Sequence, residues 1–281
     1  MDHKEGFLKG IGNLELYHQC WLPENESEAV FIIVHGLGEH CGRYMNVVNH
    51  FVPKGYAVYG FDHPGHGKSQ GTRVFVNSFN DFIDNLKLFF DMVTQWQPDK
   101  KIFLVGHSMG GLITAAYLLQ FQNELSGAVI SAPAVKVPDD LSKVSIIAAK
   151  ILSKILPKAG IQKLDATGVC SDSEVVKAYL DDPLVCNSKI TARLAAELIN
   201  TMEMVTINAG KIILPVIILQ GGADTLVDPD GAKMLHTNAG SKDKTLHIYD
   251  EFFHEVFNEP DHPKVLKDVE TWLDRLLQEC K

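Results

Sequence analysis

Apolar and polar positions are blocked along this chain so that strands and helices are predicted in turn. Val30-Phe31-Ile32-Ile33-Val34 is a continuous apolar run, the pattern of a strand buried on both faces. Residues 56–61, 102–105, 127–131, 214–219 and 245–249 are β-rich runs, and residues 14–21 form an earlier strand with some alternation. Between them lie helical patterns. Ser78-Phe79-Asn80-Asp81 is a capping box that opens a helix ending near Trp96. Asp228-Pro229 supplies an N-cap followed by proline at the first helical position. Residues 261–280 read as a closing helix with Val265, Val269, Trp272, Leu273 and Leu276 on one side. Alternation of this kind predicts an α/β fold, a mostly parallel sheet covered by helices.

One region breaks the alternation. Residues 134–211 carry helical patterns and no clear strand, so the chain divides into a core of residues 1–133 and 212–281 and a helical insertion of residues 134–211. Such an insertion is expected over the carboxyl ends of the strands, where ligands bind in open α/β sheets. Within it, Lys143, Lys150 and Lys154 fall on one narrow stripe at 100° per residue. Val144, Ile147, Ala148, Ile151, Leu152, Ile155 and Leu156 occupy most of the remaining surface. Residues 136–163 hold six lysines against two acids, Asp139 and Asp140. A basic stripe beside a wide apolar face suits peripheral contact with a membrane through helix 143–156. The alternative is a helix that packs down and lines a dry tunnel.

Directly behind the strand at residues 102–105 stands Gly106-His107-Ser108-Met109-Gly110, followed by the helical run from Gly111 to Leu119. Strand, sharp turn and helix with a serine at the turn is a nucleophile elbow. A serine hydroxyl needs a base, and the base needs an orienting third group. The chain order for this elbow is serine, carboxylate, histidine. Asp224 follows the strand 214–219 behind Gly221-Gly222, and Asp228 is the alternative carboxylate. His254 follows the last strand in a loop, whereas His247 lies inside a strand and His236 inside a helix. The expected triad is therefore Ser108, His254 and Asp224. The oxyanion donors are expected from the backbone of Met109, after the nucleophile, and of Leu37 in the loop His35-Gly36-Leu37-Gly38-Glu39-His40.

The remaining features narrow the class. A net charge of -9 argues against a nucleic-acid partner. No apolar run approaches the ~18 residues of a membrane span. The polar start Met1-Asp2-His3-Lys4-Glu5-Gly6 has no signal-peptide core, so a cytoplasmic location is expected. The five cysteines Cys20, Cys41, Cys170, Cys186 and Cys280 form no C-x-x-C pair, which points to reduced thiols rather than disulfides or zinc. His35, His40, His63 and His66 lack acidic companions at ligand spacing, so no metal is expected. The glycine-rich segment Asp62-His63-Pro64-Gly65-His66-Gly67-Lys68-Ser69 lacks the spacing of a phosphate loop and reads as a structural turn.

With these residues assembled, the chain resembles the monoacylglycerol lipase and lysophospholipase branch of the α/β-hydrolase family. The resemblance rests on the 35–40 loop with Gly42-Arg43-Tyr44, on residues 62–69, on the elbow through Gly111, on Asp182-Pro183-Leu184-Val185-Cys186 and on Gly221-Gly222-Ala223-Asp224. It implies a mostly parallel eight-stranded sheet with helices on both faces and a helical cap. It implies hydrolysis of a monoacyl lipid ester, without a cofactor, to fatty acid and glycerol through an acyl-serine. It also implies that Glu39, Arg43, His107 and Tyr179 lie near a small polar head group. Leu37 and Phe257 depart from the family's usual residues. A lysophospholipase, a general carboxylesterase or a thioesterase would use the same triad, and a catalytically silent binding module shares the fold.

Overall fold

The computed structural model describes residues 1–139, 141–163 and 165–278; Asp140 and Cys280 lie outside the described residues, as does the side chain of Lys143. The main sheet contains β1 (Asp2–Lys9), β2 (Glu15–Leu22), β3 (Ala29–Val34), β4 (Tyr56–Phe61), β5 (Lys101–His107) and β6 (Gly127–Ser131). Two short strands, β7 (Gly160–Gln162) and β8 (Ile190–Thr191), pair apart from it, and β9 (Val216–Gly221) and β10 (Lys244–Tyr249) complete it. Its order is β1-β2-β4-β3-β5-β6-β9-β10. β2 pairs antiparallel with β1 and β4, and the other neighbouring pairs of this sheet are parallel.

The continuous apolar runs have a direct cause. Every residue of β3, β4, β6 and β9 is buried. Along β3, Val30, Ile32 and Val34 enter one core, and Ala29, Phe31 and Ile33 enter the other. Helices cover both faces. α1 (Met45–Phe51) and α8 (His262–Gln278) pack on the second core. α2 (Asn80–Trp96), α3 (Met109–Phe121) and α7 (Asp230–Asn238) pack on the first. Ser78 and Asp81 bond around the start of α2 without the full capping-box pattern: Asp81 Oδ2 accepts from Ser78 N–H at 3.2 Å, and Ser78 Oγ accepts from Asn80 N–H at 3.2 Å rather than from Asp81 N–H.

One strand was not anticipated, and one expectation is corrected. The polar start forms strand β1. It is a sheet edge whose residues are mostly exposed, so its ladder with β2 holds it while no apolar period announces it. The region 134–211 is not purely helical. Between β6 and β9 lie α4 (Lys143–Ile155), β7, α5 (Ser173–Asp181), β8 and α6 (Ala192–Asn208), and β7 pairs antiparallel with β8. Strands of three and two residues are too short for a period-2 signal. α6 packs on α3 of the core, and α4 packs on α6.

The elbow depends on close backbone approach. A Cβ on Gly110 would stand 1.8 Å from the Val34 carbonyl oxygen, and one on Gly106 would stand 2.6 Å from the Gly110 carbonyl oxygen. Gly110→Ala must therefore separate α3 from β3. We expect it to cost at least about 4 kcal/mol, a large share of a typical domain's stability. Urea unfolding of the variant measures this; a loss under about 1 kcal/mol would mean the helix can retreat freely.

Candidate active site

Ser108 joins β5 to α3 with φ 56° and ψ -117°, a left-handed conformation unusual for a residue with a side chain. Three bonds hold it there. Its N–H donates to Ser131 O at 2.9 Å, and its carbonyl accepts from Leu112 N–H and Ala134 N–H at 3.1 Å each. Surroundings that fix a strained residue this fully are common where a nucleophile must be presented.

The loop after β9 delivers Asp224, and the loop after β10 delivers His254. His254 Nδ1–H donates to Asp224 Oδ2 at 2.7 Å, and both residues are buried. Gln220 Nε2 donates to the same oxygen at 3.0 Å. The other carboxylate oxygen accepts from Leu226 N–H at 2.8 Å and Val227 N–H at 3.1 Å. Burial opposes ionisation of Asp224, but the His254 contact and these backbone donors outweigh it and hold the carboxyl below its usual range. Asp228 serves elsewhere: it accepts from Asp230 N–H at 2.9 Å and pairs with Lys136 Nζ at 2.5 Å.

The loop behind β3 closes over Ser108. A Cβ on Gly36 would lie 2.9 Å from Glu39 Oε1 and 3.3 Å from Ser108 Cβ, so a larger residue here would have to push these groups aside. His35 fixes the loop, its Nδ1–H donating to Gly36 O at 2.8 Å and its Nε2 accepting from His63 N–H at 2.9 Å. The turn at residues 62–69 is structural as well: Asp62 accepts from Cys41 N–H at 2.9 Å and Lys68 N–H at 2.8 Å. Met109 opens α3, so its N–H belongs to the first turn, which lacks intrahelical partners.

A cavity of about 270 Å³ unites these groups. Ser108, His254, Leu37, Met109, Glu39, His107 and Tyr179 all line it. Leu198, Ile199 and Met202 of α6, with Val169 and Leu226, supply apolar wall. His107 packs on His254 with ring centroids 4.7 Å apart and bonds Ser131 Oγ at 3.2 Å. Burial and the neighbouring His254 push the pKa of His107 down to about 3, so it is neutral at physiological pH. Arg43 is not among the lining residues. It lies behind the cavity, paired with Glu39 at 2.9 Å and with Glu255 at 2.5 Å. Burial opposes its charge, but the two carboxylates outweigh that and hold it firmly protonated. The family resemblance put Arg43 at a head group; here its donors are turned to protein carboxylates.

Two partners escaped sequence reasoning. Glu255 looks like surface charge in a loop, yet it is buried and lines the cavity. Gln220 did leave a signal, as a polar residue ending an otherwise apolar buried strand.

Comparisons with known proteins give the chain's family and fold. The family model Hydrolase_4, described as "Serine aminopeptidase, S33", matches residues 25–261. The monoacylglycerol lipase of Mycolicibacterium smegmatis is 35% identical over 269 residues, covering 96% of each chain. A crystal structure of the Paleococcus ferrophilus monoacylglycerol lipase is 31% identical with a TM-score of 0.83, covering 94% of this chain and 99% of that one. A soluble variant of the Saccharomyces cerevisiae monoglyceride lipase, solved with a substrate analog, is 25% identical with a TM-score of 0.86, covering 96% and 94%. The chain belongs to the Hydrolase_4 family, in the monoacylglycerol lipase branch of the α/β-hydrolases.

Proposed function

We propose that this protein is a serine hydrolase that cleaves the carboxylic ester of monoacylglycerol-type lipids to fatty acid and glycerol. The observation that carries the reading is the 2.7 Å His254–Asp224 bond beside a largely apolar cavity that also holds Ser108. His254 takes the Ser108 proton as the hydroxyl attacks the ester carbonyl. Leu37 and Met109 N–H groups receive the negative charge of the tetrahedral intermediate. His254 then returns the proton to the leaving glycerol, and water resolves the acyl-serine by the same route. Asp224 orients the imidazole and stabilises its charged form. Relatives named as monoacylglycerol lipases support this substrate. Of the acids that line the cavity, Glu39 and Glu255 pair with Arg43 and Asp228 pairs with Lys136, while Asp165 accepts from Thr167. The monoacylglycerol lipase relatives, rather than this lining, favour an ester over the peptide substrate of the family description. Fatty-acid release from a monoacylglycerol, the matching lysophosphatidylcholine and a short-chain ester is the test. Preference for the monoacylglycerol is expected. Preference for the charged lipid or the short ester would move the assignment to lysophospholipase or carboxylesterase.

Residues 134–211 serve, on this reading, as a cap that meets the membrane. Among the described residues, none of α4 lines the cavity. Val144, Ile147, Ile151 and Ile155 form an exposed apolar stripe on α4, 54–76% accessible. Lys154 is exposed, and Lys150 reaches Glu203 of α6 at 3.4 Å. Among the described residues no helix is long and apolar enough to cross a membrane, so contact would be peripheral. Ile147→Glu with Ile151→Glu is expected to reduce sedimentation with anionic vesicles at least about tenfold, since two buried aliphatic side chains contribute more than that in free energy. Equal sedimentation of variant and wild type would remove the membrane role.

A further inference from the structure

At the wall of the cavity lies a buried charge cluster that the reaction steps leave unused. Glu39 and Glu255 are 4% and 5% exposed, and Arg43 bridges them. Its Nη1 donates to Glu39 Oε2 and to Glu255 Oε1, and its Nη2 donates to Glu255 Oε2 at 2.8 Å. The far ends of the two carboxylates matter most. Glu39 Oε1 accepts from Gly36 N–H at 2.6 Å and from the Tyr44 hydroxyl at 2.8 Å. Gly36 precedes Leu37, the second oxyanion donor. Glu255 follows His254, and Asn258 Nδ2 fixes its Oε2 at 2.8 Å. Tyr179 covers the guanidinium, its ring centroid 4.5 Å from Cζ. All four carboxylate oxygens thus accept bonds from the protein itself.

We propose that Arg43 is a positioning residue that ties the loop carrying the Leu37 N–H to the loop carrying His254. The oxyanion hole and the base are thereby set against Ser108 as one unit. A planar guanidinium fork can hold two carboxylates in fixed directions, which a lysine ammonium cannot. Displacement of reacting groups by 1 Å costs on the order of 100-fold in rate, so a modest slackening of this bridge is visible in kcat. The inference rests on the Ser108 ester-hydrolysis reading above.

The test compares wild type, Arg43→Lys, Tyr44→Phe and Ser108→Ala on a monoacylglycerol and on p-nitrophenyl butyrate, which has no polyol head. Active sites are titrated so that rates refer to folded enzyme. Arg43→Lys is expected to lower kcat by about 10- to 100-fold on both esters, with KM changed by less than about threefold. Affinity for an alkyl trifluoromethyl ketone, whose Ser108 hemiketal carries the oxyanion, falls by the same factor as kcat/KM. Tyr44→Phe removes one donor to Glu39 and is expected to lower kcat on both esters by about three- to tenfold. A KM increase confined to the monoacylglycerol would assign Arg43 to head-group recognition and overturn the proposal. A lowered melting temperature with unchanged kcat would overturn it too. If Arg43→Lys does not fold, unchanged kcat in Tyr44→Phe is sufficient refutation. Wild-type turnover that survives in Ser108→Ala would remove the underlying reading and the proposal with it; Ser108-dependent turnover insensitive to both variants would remove the proposal alone.

Discussion

Ser108→Ala is expected to lower kcat on a monoacylglycerol by about 10⁶-fold, the loss seen when a triad nucleophile is deleted. The fold should be untouched. The bonds that hold the elbow run through Ser108 N and O, which alanine keeps. Alanine also has the same Cβ as serine, so the left-handed φ of 56° carries no new strain. Unfolding free energy should therefore stay within about 0.5 kcal/mol of wild type. Initial rates together with urea unfolding check both halves. Turnover within a factor of ten of wild type would mean that another group attacks the ester.

Asp224→Asn is expected to lower kcat by about 10⁴-fold through the tautomer of His254. The wild-type Oδ2 accepts two bonds, from His254 Nδ1–H and from Gln220 Nε2. The other oxygen accepts from Leu226 and Val227 N–H, so an asparagine would keep its carbonyl oxygen there and place its amide at the Oδ2 position. An amide has no acceptor to offer on that side. His254 Nδ1 must then accept rather than donate, which puts the ring proton on Nε2, the atom that should receive the Ser108 proton. The defect should ease at high pH, where hydroxide replaces the general base. A kcat–pH profile of the variant measures this. A loss below about tenfold across the profile would mean that Asp224 does not set the tautomer.

The fold was legible wherever burial imposed a period. β3, β4, β6 and β9 are buried throughout and were visible as apolar runs. α8 buries Val265, Val269, Trp272, Leu273 and Leu276, the face read from spacing. β1 was not legible, because an exposed polar edge strand is specified by the ladder it joins rather than by its own pattern. The triad candidates were legible because chain order and strand ends locate them. Glu255 was not, because nothing local distinguishes a buried loop carboxylate from a solvated one. The opposing Arg43, 212 residues away in sequence, supplies the charge that lets it sit inside.

The insertion illustrates the same divide. Its apolar stripe and lysines were visible on α4 as sequence, but whether that face turned inward could not follow from the pattern. α6, not α4, supplies cavity wall through Leu198, Ile199 and Met202. That leaves Val144, Ile147, Ile151 and Ile155 outward as exposed apolar surface.

The central claim is that Ser108 is the nucleophile of a lipid ester hydrolase, and one experiment addresses it directly. The protein is titrated with a long-chain alkyl fluorophosphonate, monoacylglycerol hydrolysis is followed in the same samples, and the adduct is mapped by peptide mass spectrometry. A single adduct on Ser108, rising in step with the loss of hydrolysis, is the expected result. An adduct at another residue, or full hydrolysis by protein completely modified at Ser108, would contradict it.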